Sequence, residues 1–173
     1  MKKLIVSSLV IAGLCTSAFA DNITYYGVTN GDSKINSINF SDVSNKGEDY
    51  WAKSAIYQIT SLGIMQGMST SSFSPTTKVT NEQAITTILN SMGKASEVND
   101  LKVLSNYWSD KYIKYAMKNG LITEKTVLKL SDVSGNVDAM KKKGVYIRDN
   151  AITREEIAML ITKAFSLPAS SFK

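Results

Sequence analysis

The chain repeats itself, and that constrains its fold more than anything else in it. Trp51 aligns with Trp108, and the same offset puts Ile56 on Ile113, Gly63 on Gly120 and Ile64 on Leu121 without a gap. A repeated unit must bury the same faces twice. In the first copy Trp51, Ala55, Ile56, Ile59 and Leu62 fall at helical spacing, and Gly63 is placed to end the helix in a left-handed cap. In the second, Trp108, Tyr112, Ile113, Ala116 and Met117 do the same, with Gly120 as the stop. Plain core packing is the ordinary expectation for both tryptophans.

Each copy then enters a loop and starts a second helix with a capping box. Thr80 is followed three places on by Gln83, and Thr153 by Glu156, so each threonine oxygen can accept a free amide while the third residue reaches back. Val79 and Ile152 are set to staple onto Ala84 and Ile157. Beyond the caps, Ile85, Ile88, Leu89 and Met92 form one face, and Ile157, Leu160, Ile161, Ala164 and Phe165 the other. Both units read as helix-loop-helix. The second loop carries an insertion at about 126–148, where a short helix ends in Lys141, Lys142 and Lys143 before Gly144. That basic turn suits the helix dipole and reads as a solvated end, too small for a nucleic-acid patch.

The first twenty residues join Lys2 and Lys3 to the apolar stretch Leu4 to Cys15 and close on Ala18, Phe19 and Ala20. This is the pattern of a secretory signal peptide, and the apolar stretch falls short of the roughly twenty residues a spanning helix needs. Cleavage leaves a chain from Asp21 with no cysteine and no histidine, and no membrane span. Disulfides are then impossible, and an apolar core must hold the fold. Two positive charges of the formal net +5 leave with Lys2 and Lys3, so the balance favours anionic partners only mildly. Residues 21–39 are polar and weakly patterned, and read as an extended leader or linker.

Those absences prune the chemistry. Serine and cysteine nucleophile systems lose their histidine, as do histidine-based metal sites. Glu155 and Glu156 are neighbours on a helix, diverge by about 100° and cannot flank one glycosidic bond. Asp32 and Asp132 open polar turns, because a lysine stands third from the first and Gly135 comes too early after the second for a calcium loop. No enzyme activity, metal or cofactor is expected.

The words at these positions resemble the S-layer homology module, a repeat that tethers exported bacterial proteins to the cell wall. "FSDV" at 40–43, "WAKSAI" at 51–56, "GIMQG" at 63–67, "FSP" at 73–75 and "VTNEQ" at 79–83 stand in the family's order. The second copy keeps "YW" at 107–108, "NGLI" at 119–122 and "ITREE" at 152–156. The resemblance implies module 1 at 40–95, module 2 at 96–166 and a tail at 167–173, where Phe172 is placed to open a third. It further implies an all-α fold of tandem modules packed as a partial pseudo-threefold bundle, binding polysaccharide in the grooves between them.

The ligand implied is a wall polymer bearing pyruvate ketals, each a carboxylate on a sugar. The family's motif puts an arginine directly after the capping threonine, where helix amides already favour an anion. Arg154 stands there, flanked by Thr153 and Glu155, and a guanidinium fork adds charge-assisted hydrogen bonds to such a carboxylate. The first copy has Asn81 after Thr80, a donor without charge, which weakens a groove built on it. Trp51 and Trp108 are candidate faces for sugar rings, Asp42 caps or orients the turn before the first helix, and Gly67 permits close backbone approach. Two other readings stand beside wall binding: an assembly protein whose repeats pack on each other or on an envelope partner, and a carboxylate hydrolase, which lacks a facing pair.

Overall fold

The computed structural model describes residues 31–44 and 50–166. The signal peptide expected at 1–20, the expected leader up to residue 30 and the expected tail at 167–173 lie outside the described residues. The leader is not extended throughout, because its last residues form helix α1 (Gly31–Ser37). A short 3-10 turn (Tyr50–Ala52) leads into α2 (Lys53–Ser61), and α3 spans Asn81–Ser91. A short α4 (Ala95–Asn99) joins it to α5 (Asp110–Lys118). The insertion then builds strand β1 (Thr126–Leu128), helix α6 (Val137–Lys142) and strand β2 (Val145–Ile147), and α7 (Arg154–Ala164) follows. α2 and α5 are the first helices of the two copies, and α3 and α7 the second.

Helix ends follow the sequence. Gly63 and Gly120 have φ of 70° and 74°, the left-handed conformation that lets the chain leave α2 and α5 without Cβ strain. Both capping boxes form. Thr80 and Thr153 have nearly identical backbones, and each accepts from the third helical amide while the Gln83 or Glu156 side chain accepts from the threonine amide.

The fold is mostly helical, but not wholly as expected. β1 and β2 form a parallel pair with Thr126 opposite Val145 and Leu128 opposite Ile147. β-branched and aromatic residues fit a pleated, half-buried surface, and the helical crossover between them is what parallel pairing demands. Three-residue strands are too short to show a period of two. Lys141 is not merely solvated either, since its Nζ lies 2.7 Å from Glu156 Oε1 and ties α6 to the cap of α7.

Packing does not divide by copy. The larger core joins Ile85, Ile88 and Leu89 of α3 to Val98, Ile113, Ala116, Leu121 and Leu160. Ile85 and Leu89 are fully buried, each contributing about 1.5–3 kcal/mol. The first copy's second helix is therefore bedded in residues of the second copy. A smaller cluster of Phe40, Val43 and Ile56, with Tyr57 and Phe73 against it, holds α2. The apolar faces read from spacing are only partly buried: Trp51 is 83% exposed, and Met117, Ile161 and Phe165 are also exposed. Core packing thus fails for Trp51, which leads α2 from the 3-10 turn, off the helix's buried side.

Candidate functional site

The two copies meet where residues 148–152 run past the start of α3. Asn81 N–H donates to the Asn150 carbonyl at 2.9 Å, Glu82 N–H to Arg148 at 2.8 Å, and Ile152 N–H to Val79 at 2.9 Å, with Thr80 bridging Ala151 in antiparallel fashion. The first amides of α3, the ones an anion would use, are taken by the protein's own carbonyls. Asn81 itself is 2% exposed, and its Nδ2 donates to the Ile147 carbonyl at 2.8 Å. Asn81 and Thr80, expected at a ligand groove, instead join the repeats together.

A buried polar network lies beneath this junction. Glu82 accepts from Arg148 Nε at 2.9 Å, Ser109 Oγ at 2.6 Å and the Tyr107 hydroxyl at 3.0 Å. Arg148 Nη1 reaches Asp110 at 2.6 Å, its Nη2 donates to Ser109, and its guanidinium stacks 4.5 Å from the Tyr107 ring centroid. Each charge has a partner, as burial requires. The repeat aligns Glu82 with Glu155, which is exposed, so spacing alone gave no sign of this network.

The start of α7 is the opposite case. Thr153, Arg154 and Glu155 are exposed, and among the described residues neither the Arg154 side chain nor the Arg154 and Glu155 amides have a partner. The capping box holds this end in shape without filling it.

A cleft of about 420 Å³ opens between the copies. Gly67, Met68 and Phe73 come from the first loop, Gln83, Thr87 and Asn90 from α3, and Trp108 and Tyr112 from the second copy. Trp108 is 51% exposed there, and Tyr112 is fixed by its hydroxyl donating to Asn90 Oδ1 at 3.1 Å. Of the residues expected at a ligand site, the cleft takes Trp108 and Gly67; Arg154, Thr153, Glu155, Trp51 and Asp42 do not line it.

Asp42 works one layer behind. Its carboxylate accepts from Phe73 N–H at 2.9 Å, Ser74 N–H at 2.7 Å and Ser72 Oγ at 2.7 Å, so it shapes the loop rather than capping the next helix. The Phe73 amide foremost, with the Ser72 hydroxyl, holds its pKa down to about 2. Gly67 is needed for close approach: a Cβ there would sit 2.6 Å from the Ser72 carbonyl oxygen and 2.7 Å from the Phe40 ring.

The S-layer homology domain family model matches residues 39–85, from the first apolar cluster to the middle of α3. This chain carries an S-layer homology module. No curated protein and no solved structure matches it. S-layer homology domains are non-catalytic anchoring domains that bind cell-wall polymers, so the match associates the chain with the cell surface. The second copy lies outside the matched residues. Among the described residues no helix is long and apolar enough to cross a membrane.

Proposed function

We propose that the chain anchors an exported protein to the cell envelope by holding an acidic wall polysaccharide at the start of α7. The second copy acts as a further module, and a pyruvate ketal is the group it binds. The observation that carries this reading is the contrast between the two helix starts. At α3 the amides and Asn81 are used internally, whereas at α7 an exposed, unpaired Arg154 stands beside amides with no acceptor among the described residues. A helix terminus and a guanidinium together complement a carboxylate. The reading is tested by retention on purified wall sacculi. Parent protein should be retained, and Arg154→Ala or removal of the ketal should lower retention at least tenfold. Unchanged retention in both cases would refute the charge-based reading.

Assembly through the helices is the second reading, supported by Met159, Ile161 and Phe165, which leave α7 with exposed apolar side chains. Sedimentation over a concentration series decides it: self-association lost in Phe165→Ser favours packing of copies, and a monomer throughout removes it.

A further inference from the structure

One face of α5 is basic and takes no part in the features described so far. Lys111, Lys114 and Lys118 stand three and four residues apart, so they share one side of the helix, and Met117 falls beside them. Lys114, Met117 and Lys118 are exposed, whereas Ile113 and Ala116 commit the other side to the core.

The loop between α4 and α5 is tied to this face. Lys114 Nζ donates to the Lys102 carbonyl at 2.6 Å, and Lys111 Nζ to the Asn99 carbonyl at 2.5 Å. Both ammonium groups are therefore held in place by neutral acceptors, and neither has a carboxylate partner among the described residues. Two residues beyond the exposed Lys102, Leu104 stands fully exposed on the same loop. Residues 99–118 hold four lysines and two aspartates, and Asp110 is spent on Arg148, which leaves Asp100 as the opposing charge.

A lone exposed leucine carries no meaning by itself. Beside fixed cations that no carboxylate neutralises, it matches the surface of an anionic bilayer, where phosphates accept from ammonium groups and an apolar side chain enters the acyl boundary. We propose that this surface docks the protein on an anionic lipid bilayer, with Leu104 entering the interface and Lys102, Lys111, Lys114 and Lys118 meeting lipid phosphates. It uses no residue of the Arg154 site and goes beyond polymer binding. A soluble polyanion would use the same lysines but gain nothing from Leu104, so the leucine is what favours lipid.

The test is co-sedimentation of the full chain with phosphatidylcholine vesicles, with and without roughly a third of phosphatidylglycerol. The apolar stretch Leu4 to Cys15 is common to parent and variants, so differences among them isolate this surface. Parent protein should bind the anionic vesicles at least about tenfold more tightly than the neutral ones, and less tightly as salt rises. Leu104→Ser should weaken binding to anionic vesicles about tenfold, and Lys111→Gln with Lys114→Gln about 25-fold, with far-UV circular dichroism unchanged. Leu104→Phe should bind as the parent does. So should Arg154→Ala, which keeps this result apart from retention on wall sacculi. Equal binding to both kinds of vesicle, or binding to neither, would overturn the proposal. A loss in the lysine variant with none in Leu104→Ser would assign the face to a soluble polyanion and remove the bilayer.

Discussion

Arg148 Nε lies 2.9 Å from Glu82 Oε2, and the pair joins the start of α3 to the residue after β2, inside the molecule. Glu82 belongs to the first copy's helix-start word and Arg148 to the second copy's insertion. The 126–148 stretch therefore serves the start of α3: it leads into the turn at 148–150 whose carbonyls occupy the α3 amides, and it carries the cation that neutralises Glu82. Because Tyr107 and Ser109 also donate to Glu82, the same network seats Trp108, their chain neighbour, at the cleft.

Breaking the pair from one side leaves a buried charge. Arg148→Ala should cost about 3–5 kcal/mol, and Glu82→Ala a similar amount, measured by urea unfolding. Replacing both at once, as Glu82→Ala with Arg148→Ala, should cost less than the sum of the two single losses, since Glu82 is then no longer a buried charge without a partner and Asp110 loses its cation only once. Strict additivity would mean that the two side chains do not act on each other.

Asp42 gives the loop an acid limit. Its carboxylate is held well below its unfolded value, chiefly by the Phe73 amide, so its contribution is complete above pH about 4 and lost as pH falls through about 2. Amide resonances of Phe73 and Ser74 should shift together in that window while those of the α3–α5 core stay put. In Asp42→Asn the window should vanish. A loop that titrates near pH 4 in the parent would show that the amides do not hold the carboxylate.

Much of this was legible in the residues, and the gaps have physical causes. Helix stops at Gly63 and Gly120 and both capping boxes follow from local rules, since a left-handed φ and an orphan amide concern only a few neighbours. Which equivalent position is buried is a tertiary matter. Asn81 and Arg154 occupy the same place in the repeat, and only the path of residues 148–152 separates a closed helix start from an open one. The exposed Trp51 escaped for a related reason: periodicity marks a stripe, but the stripe's end turn is 3-10. The cleft was half legible, through Trp108 and Gly67, because its other wall consists of threonines and amides that carry no motif.

Gly67 couples the loop to the cleft. A methyl group there meets backbone oxygens of Ser72 and Ser69, and the Ser72 segment is pinned by Asp42, so it cannot move aside cheaply. Gly67→Ala should destabilise by about 1–3 kcal/mol in thermal unfolding. A variant as stable as the parent would show that the Ser69–Ser72 turn yields more easily than its hydrogen bonds suggest.

The sharpest contrast is between the paired positions of the repeat. Arg154→Ala should alter stability by no more than about 0.5 kcal/mol, because the side chain is exposed and Thr153 and Glu156 keep the cap, yet it should cost about 1.5–3 kcal/mol of affinity for native polymer. Asn81→Ala should do the reverse. It deprives the buried Ile147 carbonyl of a donor and costs about 1–3 kcal/mol of stability, while affinity, measured where the protein remains folded, changes little. Placing the family's arginine in the first copy should not create a second anionic site. Asn81→Arg forces a long cation into a position 2% exposed and already packed against residues 147–150, so roughly 3 kcal/mol or more of stability should be lost. Urea unfolding and polymer titration on the same three variants give both readings. An Asn81→Arg protein that is as stable as the parent and binds native polymer more tightly would show that the α3 start can open, and the division between a closed and an open helix start would fall.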